Sequence, residues 1–542
     1  MKHKLLNPLR LLMVAICMLG LAAEGQEVMV DDFNFQIDLT NHTATCMGYT
    51  GSNEAPVMPA YVTYEGEEYP VTFIYHWAFQ MNPMIKTMTL PETLKKIGES
   101  AFAQCMSLET MVIPNSVDTL MAATFFGCPQ LKLLKLSENM KFLPPGLCFQ
   151  CTSLETIEIP SSVTRFSCQW GDTNNFYNYE DWGDDSKLFA DPNFFIVPGM
   201  EFRECSNLKE VILPKNLWWF SSDAFDQCIS LKHIEIPCDK VKHILQGAFP
   251  ATGLTEFEIP EELLTWGALF FTPVNGVTKY VKSYCLNPYP NFEFSGSSNQ
   301  DYWPTCPLYV PKGMVPVYRE VWPQWINARI VAATPVELTS EWRTFCAVED
   351  LDFSGVEGLE AYVATEYQDG KVLMEPIEQV PAGTGVVLKG APGFYEIPYP
   401  DQDEALEPVD NLLVGLNYGE RIQAETEDGQ CNLFFNDATE MASLFYGPFM
   451  DSERAPRLNA EGEQPMFAPA GGARLPYHRA YLQLPASEAG KTVEMVFGSL
   501  TGIEEVAAQP QTDGTIYNLQ GQRVVNPGPG IYIQNGRKFI VR

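Results

Sequence analysis

A period of 23 residues governs the first half of this chain. Aligned on the residue that ends each apolar run, the segments are "IKTMTLP" (85–91), "LETMVIP" (108–114), "LKLLKLS" (131–137), "LETIEIP" (154–160), "LKEVILP" (208–214), "LKHIEIP" (231–237) and "LTEFEIP" (254–260). Their starts advance by 23, 23, 23, 54, 23 and 23, and 54 is one period plus 31. Within each copy the fourth and sixth positions are apolar, as Ile157 and Ile159 are around outward Glu158. That alternation is the signature of a strand with one buried face, and Pro160 stops it because proline cannot donate to a ladder. Phenylalanine recurs at 79, 102, 125, 202, 225 and 249, and cysteine at 105, 128, 151, 205 and 228. One such unit cannot bury its own apolar edge, whereas a stack of them buries a continuous core.

The form "LxxIxIPxSVxxIGxxAFxxCxx", shown best by "LPETLKKIGESAFAQCMSLETMVIPNSV" (90–117), resembles the BspA-type leucine-rich repeat of bacterial surface proteins. The resemblance covers about residues 30–333. It implies a curved right-handed solenoid, opened by a β-hairpin cap (26–72), running through 73–334, and closed by "CPLYVPKGMVPVYREVWPQW" (306–325). Stacked strands lie ~4.8 Å apart, so seven to nine turns would span roughly 35–45 Å.

The same register accounts for the one C-x-x-C in the chain, Cys148 and Cys151. That spacing can chelate zinc or exchange disulfides. Here Cys151 falls in the cysteine column and Cys148 in the phenylalanine column, so the pair reads as the F-x-x-C of the repeat with one substitution.

Beyond about residue 337 the period stops. "LEAYVAT", "GKVLMEPI", "TGVVLKG", "GFYEIPY", "NLLVGL", "CNLFFN", "RAYLQL" and "VEMVFG" are short strands between Gly, Pro, Asp and Asn turns. They suggest a β-sandwich-like domain or open barrel over 335–505. This part resembles a β-domain that often trails these repeats in exported Bacteroidetes proteins. Residues 506–542 are expected to be a polar linker, beginning in "EEVAAQPQTDG", and a small β-tail of three strands. The tail is similar to C-terminal sorting signals of that group, the other reading being a last pair of strands on the sandwich. The fold class is therefore mainly β, a solenoid followed by a sandwich.

Composition narrows the function. Net charge is −33, from 35 Lys plus Arg against 68 Asp plus Glu, which repels phosphate backbones and disfavours nucleic acid. At the N-terminus Lys2, Lys4 and Arg10 precede "LLMVAICMLGLAA", which reads as a signal peptide over 1–25 rather than a spanning helix. Cys17 lies in that run, but the preceding residue is Ile16 and apolar residues follow, which argues against lipidation. Of 14 cysteines, 13 remain after removal of Cys17, an odd number that argues against a complete disulfide framework.

Candidate binding residues come from three places. The 31 extra residues carry Trp170, Tyr177, Tyr179 and Trp182 among several acids, and long loops on rigid scaffolds often bind ligands. Aromatic faces beside carboxylates suit sugar rings or peptide side chains, and equally suit packing of the loop onto the solenoid. Next, Trp218–Trp219 replace the polar pairs Lys95–Lys96, Asp118–Thr119, Thr164–Arg165 and Lys242–His243 of other repeats. By register they lie one turn beyond Arg165, where the insertion starts, at outward positions. Last, Glu158, Glu210, Glu235, Glu256 and Glu258, with His233 among them, form an acidic stripe on the outward strand face. Such a face is the usual ligand surface of a solenoid, and an acidic one could attract basic protein segments; it could also be only solvated.

Catalytic motifs are lacking. Six histidines show no H-E-x-x-H and no cluster at metal-ligand spacing, "AGTGVVLKG" lacks a following helix, and "YPDQDEALEP" lacks the glycine of an EF-hand. No cofactor or metal is expected. The expectation is an exported, cell-surface or secreted, non-enzymatic binding protein, a monomer, recognising an extracellular protein or glycan in adhesion or nutrient-associated binding. The alternatives are a polysaccharide-acting enzyme or accessory, whose paired carboxylates could come from anywhere in the fold, and a structural surface protein without a discrete ligand.

Overall fold

The computed structural model describes residues 26–166, 199–263, 265–266, 277–288, 306–322, 325, 328–436, 466–469, 474–497, 504–505, 516–518, 523–525, 527–534 and 537–541. Residues 1–25, expected to be a signal peptide, and residues 167–198, which include the insertion, lie outside them.

An antiparallel meander, Gln26–Val30, Phe33–Asp38 and Thr43–Tyr49, opens the chain. It hands over to Glu67–Ile74, which pairs parallel with Thr43–Tyr49 and starts the stack. The repeats then build two parallel ladders. The first joins Thr110–Val112 to Leu133–Lys135, Thr156–Glu158 to Glu210–Ile212, and Glu256–Ile259 to Tyr280–Ser283, Leu308–Tyr309 and Ile330–Val331. The second runs Phe73↔Lys96↔Thr119 and, further on, Phe142↔Arg165↔Trp219↔His243↔Thr265. Because Ile157 faces Val211 and Arg165 faces Trp219, the stack keeps register across the 54-residue gap. Neither ladder is interrupted between the turns on either side of that gap.

Why these residue types recur is visible inside. Phe79, Phe102 and Phe125 stack at centroid distances of 4.9 and 5.6 Å, and Phe202, Phe225 and Phe249 at 5.4 and 5.3 Å. Cys148 sits between the two stacks, fully buried, in the turn just before the insertion. Each cysteine of the column donates its thiol to a main-chain carbonyl of the preceding turn at 3.1 Å: Cys105 to Phe79, Cys128 to Phe102, Cys151 to Phe125, Cys205 to Cys148 and Cys228 to Phe202. A small, weakly polar donor at that spot satisfies a buried carbonyl without adding volume. Burial pushes the Cys151 and Cys205 thiols well above their ordinary range, so they remain protonated donors. Both members of the C-x-x-C are free thiols in the core.

One hydrophobic core runs from Phe33 to Trp325. A short helix, Val315–Val321, seals its far end, burying Tyr318, with Trp322 and Trp325 also buried. From Ala333 a second body begins. Nine strands form one sheet in the order Trp342–Phe345, Val386–Gly390, Leu359–Gln368, Lys371–Pro376, Val493–Phe497, Met466–Pro469, Gln430–Asn436, Arg479–Pro485 and Leu413–Leu416. The sheet curls back on itself: Val414, in its last strand, bridges Thr384, which leads into the second strand, Val386–Gly390. A second layer, Ala333–Leu338 paired with Gly393–Pro398, covers its outer side over Val336, Phe345 and Leu388. The expected sandwich therefore has one layer rolled toward a barrel. The C-terminal residues form a sheet of five strands rather than three, and Glu504–Glu505, read as the end of the sandwich and start of the linker, pair within it to Phe539–Ile540.

Candidate binding surfaces

The first ladder was expected to present an open acidic stripe. In the folded chain that stripe is where the second body sits. Arg421 and Arg474 lie on a two-stranded ribbon, Glu420–Arg421 against Arg474–Leu475, that reaches out from the curled sheet. Arg421 grips Glu158 with two bonds, Nη2 to Oε2 at 2.7 Å and Nε to Oε1 at 3.2 Å. Arg474 pairs with Glu235, which also accepts the Tyr477 amide, and both side chains of the ion pair are about nine-tenths covered. His478 places Nε2 3.1 Å from Glu258 Oε1, and Tyr284 donates to the same oxygen at 2.9 Å. His478 Nδ1 lies 3.1 Å from the Cys346 carbonyl, so the ring is held from both sides.

The remaining members of the stripe are drawn into this seam. Glu256 accepts His233 Nδ1 at 2.7 Å, and the His233 ring lies 5.2 Å from that of Tyr477. Burial would raise the Glu256 carboxyl, yet the hydrogen bond and charge of His233 bring it down to about 2. His233 is shifted upward: burial opposes its charge, and Glu256, Glu235 and Glu258 more than offset that. Burial raises Glu210, against the pull of Arg474. One turn further, Lys282 is buried against Glu349 at 3.0 Å and over the Tyr284 ring at 4.4 Å. Cross-links continue along the seam, from Lys215 to Glu420, from Tyr418, which accepts the Asp239 amide at 3.1 Å, and from Lys279 to Glu337 at 2.6 Å. A small cavity lined by Cys238, Glu258, Tyr284, Asn417, Tyr418 and His478 lies within it.

Four of the five carboxylates of the stripe are thus paired, and those of Glu235 and Glu258 are also covered, while Glu158 stays about a third exposed. The sequence showed its five carboxylates but not the side chains that meet them; the available signal was that Arg421 and Arg474 are scarce positive charges in a chain with net charge −33. What stays open on this ladder is its earlier part. Thr89, Val112 and Lys135 are exposed there, with Thr87, Thr110, Leu133 and Thr156 half-buried beside them. Opposite-charge pairs edge the strands, Lys86 with Glu54 at 2.6 Å and Lys132 with Glu109 at 3.2 Å.

On the second ladder Trp219 faces Arg165 across the insertion point, the neighbourhood that register anticipated. Outward placement does not leave it exposed: Trp219 is buried, 4.7 Å from the His243 ring, and Trp218 is half-buried, edge-on to both. Trp170, Tyr177, Tyr179 and Trp182 lie outside the described residues.

Among the described residues no group of three or more His, Cys, Asp or Glu could hold a metal ion, and no helix is long and apolar enough to cross a membrane. Residues 68–179 and 190–288 match the model of the BspA type leucine rich repeat region, in six copies. Among solved structures, a leucine-rich cell-surface protein from Faecalibacterium prausnitzii is similar at 21% identity over 49% of this chain and 56% of its own, with a TM-score of 0.33. A leucine-rich repeat protein from Bacteroides ovatus is similar at 19% identity over 56% and 76%, TM-score 0.38. The leucine-rich repeat protein of T. pallidum is similar at 19% over 38% and 91%, TM-score 0.28. The match thus spans little more than half of the Faecalibacterium protein. No protein of curated function matches the chain.

Proposed function

We propose that this chain, whose residues 68–179 and 190–288 are BspA-type leucine-rich repeats, is exported and binds an extracellular protein or glycan without catalysing a reaction. The observation that carries this reading is the division of the first ladder. Its later strands are occupied by the chain's own Arg421, Arg474 and His478, while its earlier strands leave Thr89, Val112, Leu133 and Lys135 facing outward. Val112 is 43% exposed on a strand where the repeat has polar residues at neighbouring turns. A rigid, uncovered strand face with a few apolar side chains between polar ones is the ordinary build of a recognition surface. Trp218, with the aromatic residues of the insertion, supplies a second contact in this reading. The matched family is a repeat module, and its description names no reaction.

The test is an array of glycans and extracellular-matrix proteins probed with the full mature chain, repeated with Val112→Glu and Leu133→Glu. Binding that falls at least tenfold in these variants, with unchanged circular dichroism, supports the assignment. Binding that ignores both substitutions removes the first ladder from consideration.

A further inference from the structure

The segment "FIYHW", residues 73–77, carries four rings where the cap meets the first turn. Phe73 points outward from the second ladder, opposite Lys96. Its ring lies 6.0 Å from Tyr75 and 5.8 Å from His76; Tyr75 and His76 are 5.1 Å apart, and His76 and Trp77 5.7 Å. Three of the rings are half-buried, and Trp77 is 41% exposed.

Nothing in the repeat calls for a tryptophan here. Trp77 has φ 59, the left-handed conformation that every turn adopts at this position. Later turns fill it with Ser100, Ala123, Gly146, Met200, Asp223 and Gly247, at φ between 52 and 69, all small or polar except Met200. A bulky aromatic residue in that conformation is an outlier of the kind found at functional sites. Its indole is not repaid by burial. The surroundings are ordered: the Trp77 amide donates to the Glu99 carbonyl at 2.9 Å, and the Glu99 amide donates to His76 Nδ1 at 3.0 Å, which places the imidazole proton on Nε2. Gly98 permits the approach, since a Cβ there would lie 2.6 Å from the His76 amide nitrogen.

We infer that Phe73, Tyr75, His76 and Trp77 form a second binding site, distinct from the first ladder, which takes an uncharged pyranose ring of a surface polysaccharide. The exposed indole offers a flat face for the C–H side of a sugar, in the manner of aromatic residues that join an apolar body to a polar rim. Lys96, across the ladder from Phe73, and Glu99, whose amide bonds His76, are the polar residues beside the rings. The net charge of −33 selects against sulfated and uronic-acid polymers and leaves neutral ones. This inference stands apart from the reading of the first ladder, which is tested on Val112 and Leu133.

The experiment is affinity electrophoresis of the full mature chain through gels containing laminarin, yeast mannan or arabinoxylan, comparing wild type with Trp77→Ser. Serine occupies this position one turn later, so the variant should fold and melt at or above the wild-type temperature. Retardation of the wild type by at least one of the three, weakened at least tenfold by Trp77→Ser, is expected. Three outcomes overturn the inference: no retardation by any polymer, retardation unaffected by Trp77→Ser, or a wild-type dimer that Trp77→Ser converts to monomer in light scattering, which would make the rings a contact between copies of this chain.

Discussion

Arg421 closes on Glu158 with a two-pronged grip across 263 residues of sequence, Nη2 at 2.7 Å and Nε at 3.2 Å from the two carboxylate oxygens. Together with Arg474 on Glu235 and His478 on Glu258, it fastens the second body to the strand face of the repeats. The two contacts made by arginine differ in their surroundings, and that difference sets what each contributes.

Arg474→Ala should destabilise the seam by about 3 kcal/mol, because it strands the Glu235 carboxylate in a covered site. Arg421→Ala should cost less than about 1 kcal/mol, since both partners there are about a third exposed and screened by water. Denaturant midpoints of the two variants, followed by tryptophan fluorescence, check the order. Equal losses would mean that the seam is held by something other than these pairs.

The seam should weaken in acid. Burial works against the charge of both Glu256 and Glu258, yet His233 holds the first down to about 2, and His478 and Lys282 lower the second. A depressed carboxyl stabilises the folded state above its unfolded value near 4.5 and loses that contribution as pH falls toward the folded value. His233 is raised by its glutamates, so its contribution is full below about 6.5 and declines as pH rises through the higher folded value. Protection factors at the Tyr477 and His478 amides, that is, exchange rates corrected for intrinsic chemical exchange, should therefore be highest in mildly acidic solution and fall below pH 4. Protection factors that are flat between pH 2 and 8 would contradict this.

Glu201→Ala should stabilise the protein. Glu201 occupies a position filled by Ala101, Thr124, Leu147, Ala224 and Ala248 in other turns, and it is fully buried. One carboxyl oxygen meets Ser221, while the other has no hydrogen-bond partner among the described residues. Burial pushes its pKa well above the carboxylate range, so it detracts from stability progressively as pH rises past 4.5. A gain of about 1–3 kcal/mol is expected at pH 8, shrinking at pH 4, and thermal melts at both values read it directly. A variant less stable at pH 8 would show that the carboxyl has a stabilising partner beyond Ser221.

Thiol chemistry offers a fourth check. All 12 described cysteines are buried and free, those of the repeat column donating to carbonyls. They should resist iodoacetamide in the native protein and react after unfolding in guanidinium. Native mass should show no zinc, and Cys128→Ala should cost about 1–2 kcal/mol through one lost hydrogen bond and a small cavity. Rapid native alkylation of Cys148 or Cys151, or a bound metal, would reopen the C-x-x-C as a site.

What the sequence determined by itself is everything that repeats. Inward leucines and isoleucines every 23 residues, phenylalanine and cysteine columns, and terminal prolines dictate parallel ladders, because stacking is the one arrangement that buries every unit's apolar edge at once. That local rule also explained Cys148 as a column member and placed Trp219 beside Arg165. Tertiary structure alone decided which outward side chains meet water. Trp219 points outward by register yet lies buried against His243, and the glutamates at 158, 235 and 258 point outward yet are met by Arg421, Arg474 and His478, 220 to 263 residues away. Periodicity describes each strand's two faces, one of which must be buried. Whether the other is buried as well depends on a second body whose position no local pattern encodes.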